Sequence, residues 1–243
     1  MEGLGSGAAM IDAEMRRQHA RTLQLEGLDA DGFLVYTRTH FCVVGAGGLA
    51  SGFLPLAAAM GARHFTIIDD DLVSPSNLPR QLLYTPSDVG MPKVVAAERQ
   101  VRGYAPGIEA RAVQTRLTEE NARGLVGEAQ VLVDCSDNFA TRYLLDRVAA
   151  ELNLPLLYGA VGEALGHVTL LHGEAHVSLV DLFGPQPGAM PPPAVFPPAV
   201  HLVGTIMASE AFKWVARYGR TLDGVLLQVD LRTNACARFE IAR

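Results

Sequence analysis

Short apolar runs and helix-period stretches alternate along most of this chain. Residues 40–44 (His-Phe-Cys-Val-Val) are almost continuously apolar, as expected of a parallel strand buried on both faces. Residues 48–60 are small and apolar and read as a close-packed helix, and residues 64–69 form a second strand ending on an acid, Asp69. Residues 70–92 hold four prolines and several turn formers, which predicts a long loop. Val94, Ala97 and Val101 then fall at helical spacing within 93–103. An alternating stretch at 108–113, a capped helix at 118–126, a buried strand at 131–134, a helix at 139–152 and a strand at 154–158 continue the series. This order predicts the α/β class: a Rossmann-like, doubly wound, mostly parallel sheet with helices on both faces.

After Gly159 the rhythm changes. Residues 166–171 and the stretch around 177–180 read as antiparallel strands joined by a turn at Gly173. Residues 184–198 carry seven of the 14 prolines, so they predict a crossing loop, neither helix nor central strand. A long amphipathic helix at 200–218 and a hairpin at 225–229 and 235–241 close the fold. At the other end, residues 11–26 read as a charged helix whose apolar positions are too sparse for a core, one that packs on a surface or a second subunit. The expected organisation is one compact domain: an N-terminal helical arm (1–30), a Rossmann-like part (31–160) and a C-terminal antiparallel part (161–243).

Composition narrows the function classes. With 49% hydrophobic and 19% charged residues the 243-residue chain is not disordered. A net charge of -6 gives little counterion release, so nucleic acid is not expected as a partner. The three cysteines, Cys42, Cys135 and Cys236, form no CxxC, which argues against a disulfide framework or thiolate zinc site and fits a reducing cytoplasm. The N-terminus shows no basic, apolar signal pattern. The uncharged stretch 42–62 contains five glycines and a proline, and reads as a loop and helix buried in protein, not a membrane span.

The chemistry begins at Gly45-Ala-Gly-Gly-Leu-Ala-Ser51, which follows the first strand and opens a helix. Glycines there let backbone N–H groups approach an anion, although they also serve plain helix–sheet packing. Asp69, at the end of the next strand, can accept hydrogen bonds from two ribose hydroxyls. This unit alone would suit a nicotinamide dinucleotide. The following loop favours a triphosphate, because Arg80 offers a planar fork and Lys93 a point charge, the latter at a helix start where the dipole does not favour a cation. Asp137 follows the fourth strand at its carboxyl end, and its hard oxygens suit Mg²⁺.

Four segments carry a specific resemblance: Gly45-Ala-Gly-Gly-Leu, Asp69 through Ser74-Pro-Ser-Asn-Leu-Pro-Arg-Gln81, Gly90-Met-Pro-Lys93, and Asp134-Cys-Ser-Asp-Asn138 with Arg142. In this order they resemble the ThiF/MoeB/HesA family, prokaryotic relatives of ubiquitin-activating enzymes. The resemblance implies that residues 31–160 bind ATP with Mg²⁺, and that residues 161–243 receive a small ubiquitin-like sulfur carrier ending in Gly-Gly. The carrier's carboxylate would be joined to AMP with release of pyrophosphate. By position, Gly45, Gly47 and Gly48 would cradle phosphate, and Asp69 would hold the ribose. Asn77, Arg80 and Lys93 would contact phosphates with Gln81 in support. Asp137 would bind Mg²⁺ beside Asn138 and Arg142, and Arg21 would reach into the other subunit's site of a homodimer.

The chain also departs from that family. Two CxxC pairs that hold zinc in many members are missing, so no zinc is expected. His172 and His176 have helical ligand spacing, but Gly173 breaks a helix between them. No cysteine lies in 184–205, and Cys135 reads as a packed small residue, which together point to adenylation without a protein thioester. Ala50 replaces the last glycine of the turn. A non-catalytic scaffold of the same fold, a different peptide acceptor and a nicotinamide oxidoreductase stand as alternatives.

Overall fold

The computed structural model describes residues 11–188, 191 and 193–241. Its strands are β1 (His40–Val44), β2 (His64–Ile68), β3 (Glu109–Val113), β4 (Val131–Asp134), β5 (Leu156–Gly162), β6 (Leu165–Leu171), β7 (Val225–Asp230) and β8 (Ala235–Glu240). They join in one sheet in the order β3-β2-β1-β4-β5-β6-β7-β8. Strands β1 to β5 pair in parallel, and β5 through β8 pair antiparallel. The strand order reverses between β1 and β4, the place where open α/β sheets bind ligands.

The helices are α1 (Ala13–Gln18), α2 (Ala30–Arg38), α3 (Gly48–Ala59), α4 (Lys93–Arg102), α5 (Ala122–Val126), α6 (Phe139–Leu152), α7 (Leu179–Phe183) and α8 (Pro197–Ala216). They cover both faces of the sheet. Alternation along β1 sends Phe41 and Val43 into one core with Phe33, Phe53, Phe65 and Met207, and sends Cys42 and Val44 into the other with Leu132, Leu145 and Val148. Helices α3 and α8 approach closely because Gly204 has no side chain: a Cβ there would lie 2.4 Å from the Leu49 carbonyl oxygen. No helix among the described residues is long and apolar enough to cross a membrane, and the uncharged stretch 42–62 is β1, the glycine turn and α3.

Several expectations are corrected. The single helix expected at 11–26 is α1 followed by a 3-10 turn, Thr22–Gln24; His19 ends α1 and turns its ring inward, where it is buried against Phe33. Helix α2 was not anticipated, although Phe33, Tyr36 and Thr37 are buried on one face. The expected helix at 118–126 shrinks to α5, because the Asn121 side chain accepts the Thr118 N–H and holds a turn before it. The strand expected around 177–180 is instead the start of α7, set by a capping box in which Ser178 and Asp181 satisfy each other's backbone N–H groups. Strand β5 continues through Gly159 to Gly162, and Pro197 and Pro198 belong to the first turn of α8, where missing N–H groups cost nothing. The N-terminal residues 1–10, read for a signal pattern, lie outside the described residues.

Candidate active site

The glycine turn leaves β1 at the strand-order reversal. Gly45 has φ +92°, and a Cβ on it would lie 2.5 Å from the Cys135 carbonyl oxygen, so the turn admits no side chain there. Above Gly47 the space is open: a Cβ would meet only the Gln81 amide nitrogen, at 3.7 Å. Ala50, where the resemblance expects another glycine, is fully buried in the core beneath α3. Asp69 braces the turn from β2. One carboxylate oxygen accepts the Ala46 N–H at 2.7 Å and the other the Asp71 N–H at 2.8 Å, which leaves each a lone pair for a ligand hydroxyl. Burial raises the Asp69 carboxyl above its ordinary range, opposed by the Lys93 charge and these two hydrogen bonds.

Lys93 opens α4. Its buried ammonium meets the Asp71 carboxylate at 2.7 Å, a partner that sequence reasoning missed. Tyr84 was also missed. Its buried hydroxyl donates to the Ala46 carbonyl at 2.5 Å, tying the long segment 70–92 to the glycine turn, and burial raises its pKa. No spacing in the sequence announces either contact. The carboxylates of Asp69, Asp70 and Asp71 lie within 4.8 Å of one another, but Asp69 is held by two N–H groups and Asp71 by Lys93.

The other wall comes from β4 and α6. Asp134 is fully buried, and its Oδ1 accepts the Ser136 N–H at 2.9 Å and hydroxyl at 2.6 Å. Burial raises its pKa against the attraction of Arg142. Asn138 caps α6 by accepting the Thr141 N–H at 2.9 Å. Arg142, one turn on, donates to the Tyr158 hydroxyl and the Ser136 carbonyl, each at 3.0 Å, and its guanidinium lies over the Tyr158 ring. Asp137 projects from the loop between, exposed, with only a 3.5 Å contact from the Asn138 amide. That leaves its oxygens available to a hydrated cation. Mg²⁺ needs few protein ligands when phosphates and waters complete its shell, so the donor fits.

These walls enclose one cleft of about 930 Å³. Gly45, Gly47, Gly48, Asp69, Arg80, Gln81, Lys93, Asp137, Asn138 and Arg142 all line it. Buried atoms without partners occur on two of them, Gln81 Oε1 and Arg142 Nε. Arg80 is half-buried and donates to the Ser76 carbonyl at 2.9 Å. Two expected site residues stand outside the lining. The Asn77 side chain accepts the Ser74 N–H at 2.9 Å and caps a 3-10 turn beneath Arg80, and Arg21 lies exposed on the N-terminal arm. His172 is no half of a metal pair: its Nε2 meets buried Asp146 at 2.7 Å.

Residues 19–243 match the model of the ThiF family. Over 240 residues the chain is 38% identical to a sulfur carrier protein adenylyltransferase of Thermus thermophilus, covering 95% of this chain and 88% of that protein. It is 35% identical to a SAMP-activating enzyme E1 of Haloferax volcanii, covering 90% and 83%, and 32% identical to the Escherichia coli molybdopterin-synthase adenylyltransferase, covering 97% and 96%. Among solved structures, E. coli MccB with AMPCPP and MccA shares the fold, with a TM-score of 0.82 at 17% identity over 93% of this chain and 72% of that one.

Proposed function

The chain belongs to the ThiF family, and from that premise we propose that it is an ATP-dependent adenylyltransferase for the C-terminal glycine carboxylate of a small ubiquitin-like sulfur carrier. The observation that carries this reading is the continuity of the cleft, which runs from the glycine turn and Asp69, past Arg80, Lys93 and Asp137, to an uncharged arm lined by Ala160, Val161 and Val195. One end suits a nucleotide, and the other admits a chain terminus.

The reaction brings two anions together. The carrier's carboxylate oxygen bonds to the α-phosphorus of ATP, the bond from that phosphorus to the bridging oxygen breaks, and pyrophosphate leaves with the electron pair. The protein's task is positioning and screening. Backbone N–H groups of the glycine turn face the phosphates, and Asp69 takes the ribose. Arg80 and Lys93 offset phosphate charge. Asp137 would hold Mg²⁺, which would supply positive charge against the phosphates. Arg142 is committed to Tyr158 and Ser136, so it fixes the Asp137 loop from below. Arg21 is assigned to the second site of a homodimer, which agrees with its exposed place outside its own cleft. The compartment is assigned as the cytoplasm, in keeping with three unpaired cysteines.

The test is ATP–pyrophosphate exchange with purified Gly-Gly-ended sulfur carriers. Carrier-dependent exchange is the expected result. Nucleotide binding without exchange, whatever carrier is supplied, would instead establish a non-catalytic scaffold. The peptide-acceptor alternative predicts exchange with short peptides and none with carriers.

A further inference from the structure

Lys93 and Asp71 face each other across a short antiparallel pairing that closes the long segment 70–92. The Lys93 N–H donates to the Asp71 carbonyl at 3.0 Å, the Val73 N–H to the Met91 carbonyl at 2.8 Å and the Gly90 N–H to the Val73 carbonyl at 2.9 Å, with a bridge between Leu72 and Pro92. The Asp71 N–H donates in turn to Asp69 Oδ1 at 2.8 Å. None of these bonds uses the Asp71 side chain, so the frame stands without it.

What that side chain does is meet Lys93. Among the described residues, Asp71 Oδ2 is the acceptor within hydrogen-bond distance of the Lys93 ammonium, at 2.7 Å. The lysine side chain is 7% exposed and the aspartate 67%. An ammonium carries three donors, so two remain for a ligand. Both residues line the cleft together with Asp69 and Gly47.

Two effects of opposite sign follow for a bound triphosphate. As an anion, Asp71 repels the phosphates. As the partner of Lys93, it compensates a buried ammonium that would otherwise turn towards water, and it sets where the two remaining donors point. The repulsion is the weaker effect, because an exposed carboxylate is screened by water and this one is already offset by the ammonium.

We infer that Asp71 is a positioning residue for nucleotide phosphate, acting through Lys93: it keeps the ammonium in the cleft and aimed at the ligand. The inference rests on the reading of the cleft as an ATP site. It joins phosphate recognition to ribose recognition, since the residue that orients Lys93 also braces Asp69 with its N–H.

The test is equilibrium dialysis with AMPCPP in the presence of Mg²⁺, and with adenosine, on the full chain and on Asp71→Asn, Lys93→Met and the double variant. Asp71→Asn is expected to weaken AMPCPP about fivefold or more, and to leave adenosine within about twofold. In the Lys93→Met background, where AMPCPP is already weakened, Asp71→Asn is expected to change AMPCPP by less than about twofold, because the residue it acts through is gone. Tighter or unchanged AMPCPP binding by Asp71→Asn overturns the inference, since the carboxylate would then compete with phosphate for Lys93 or do nothing. Equal weakening of adenosine and AMPCPP overturns it, because the side chain would then support the segment as a whole. So does an Asp71→Asn effect that persists undiminished in the Lys93→Met background. Each of these outcomes leaves the adenylation reading intact. Absence of AMPCPP binding by the unmodified chain overturns the ATP site and the inference with it. Where Asp71→Asn does not fold, Asp71→Ala is read by the same ratio of AMPCPP to adenosine.

Discussion

Single side chains in this cleft divide into those already paired and those left free, and the division says what each substitution does. Asp137 is a free carboxylate, exposed and outside both cores, so Asp137→Ala should keep the melting temperature and lose exchange by ~10²-fold or more. Exchange at the original rate would remove Asp137 from the metal role. Asp88, outside the cleft lining, is the paired kind. It is buried, accepts from Thr85, and meets Arg99 at 2.5 Å. The Arg99 hydrogen bond holds its carboxyl below the usual range. A carboxylate depressed in the folded state stabilises it above the unfolded value of about 3.9 and loses that contribution as pH falls through the folded value. Asp88→Asn should therefore cost stability at pH 7, with the gap from the original protein narrowing as pH falls below about 4 in denaturant titrations. A gap independent of pH would mean that Asp88 acts through packing alone.

At the scale of elements, the long helix α8 bears on nucleotide binding without touching a phosphate. Gly204 faces the Leu49 carbonyl and the Cα of Gly52, so it sits against the first turns of α3, whose start is the glycine turn. Gly204→Ala forces a methyl against backbone, an overpacking that costs about 1–3 kcal/mol. The expected result is a lower melting temperature together with a raised KM for ATP, since the helix that must yield carries Gly48. A drop in stability with KM unchanged would show that α3 absorbs the shift away from its N-terminus. This dependence was not readable from the sequence, which gives Gly204 no partner. What was readable has a common physical origin. β1, α3, β4 and α6 are set by local periodicity and flanking glycine or Asn caps, so their bounds and the placement of Asp69, Lys93 and Asp137 followed directly. The misread elements depend on side-chain capping or burial at a distance: α7 on Ser178 and Asp181, α2 on a face covered by α8, and the arm on the inward His19. The Asp71 and Tyr84 contacts are likewise tertiary, bridging β2, the long segment and the glycine turn.

For the whole molecule, the arm poses the question of how many chains make one site. Ile11 and His19 bury themselves in their own subunit, so the arm is docked, yet it leaves Arg21 exposed and outside the cleft of its own chain. The segment 70–92, which carries Arg80, also exposes Leu72, Leu82 and Val89 at 51, 64 and 42%. Apolar side chains on the segment that walls the cleft suit a symmetric dimer in which each arm completes the neighbouring site. The arrangement makes a quantitative prediction. Arg21→Ala and Asp137→Ala chains should each be inactive as homodimers. A heterodimer unites the intact Asp137 of one chain with the intact Arg21 of the other at one site, and both lesions at the second. Random pairing of equal amounts makes about half the dimers heterodimers, each with one working site, so about a quarter of the original exchange activity should return. Coexpression with two affinity tags isolates the heterodimer, in which the recovery should rise to about half. If Arg21 served its own cleft, no heterodimer site would hold both residues, and the isolated heterodimer would be as inactive as its parents.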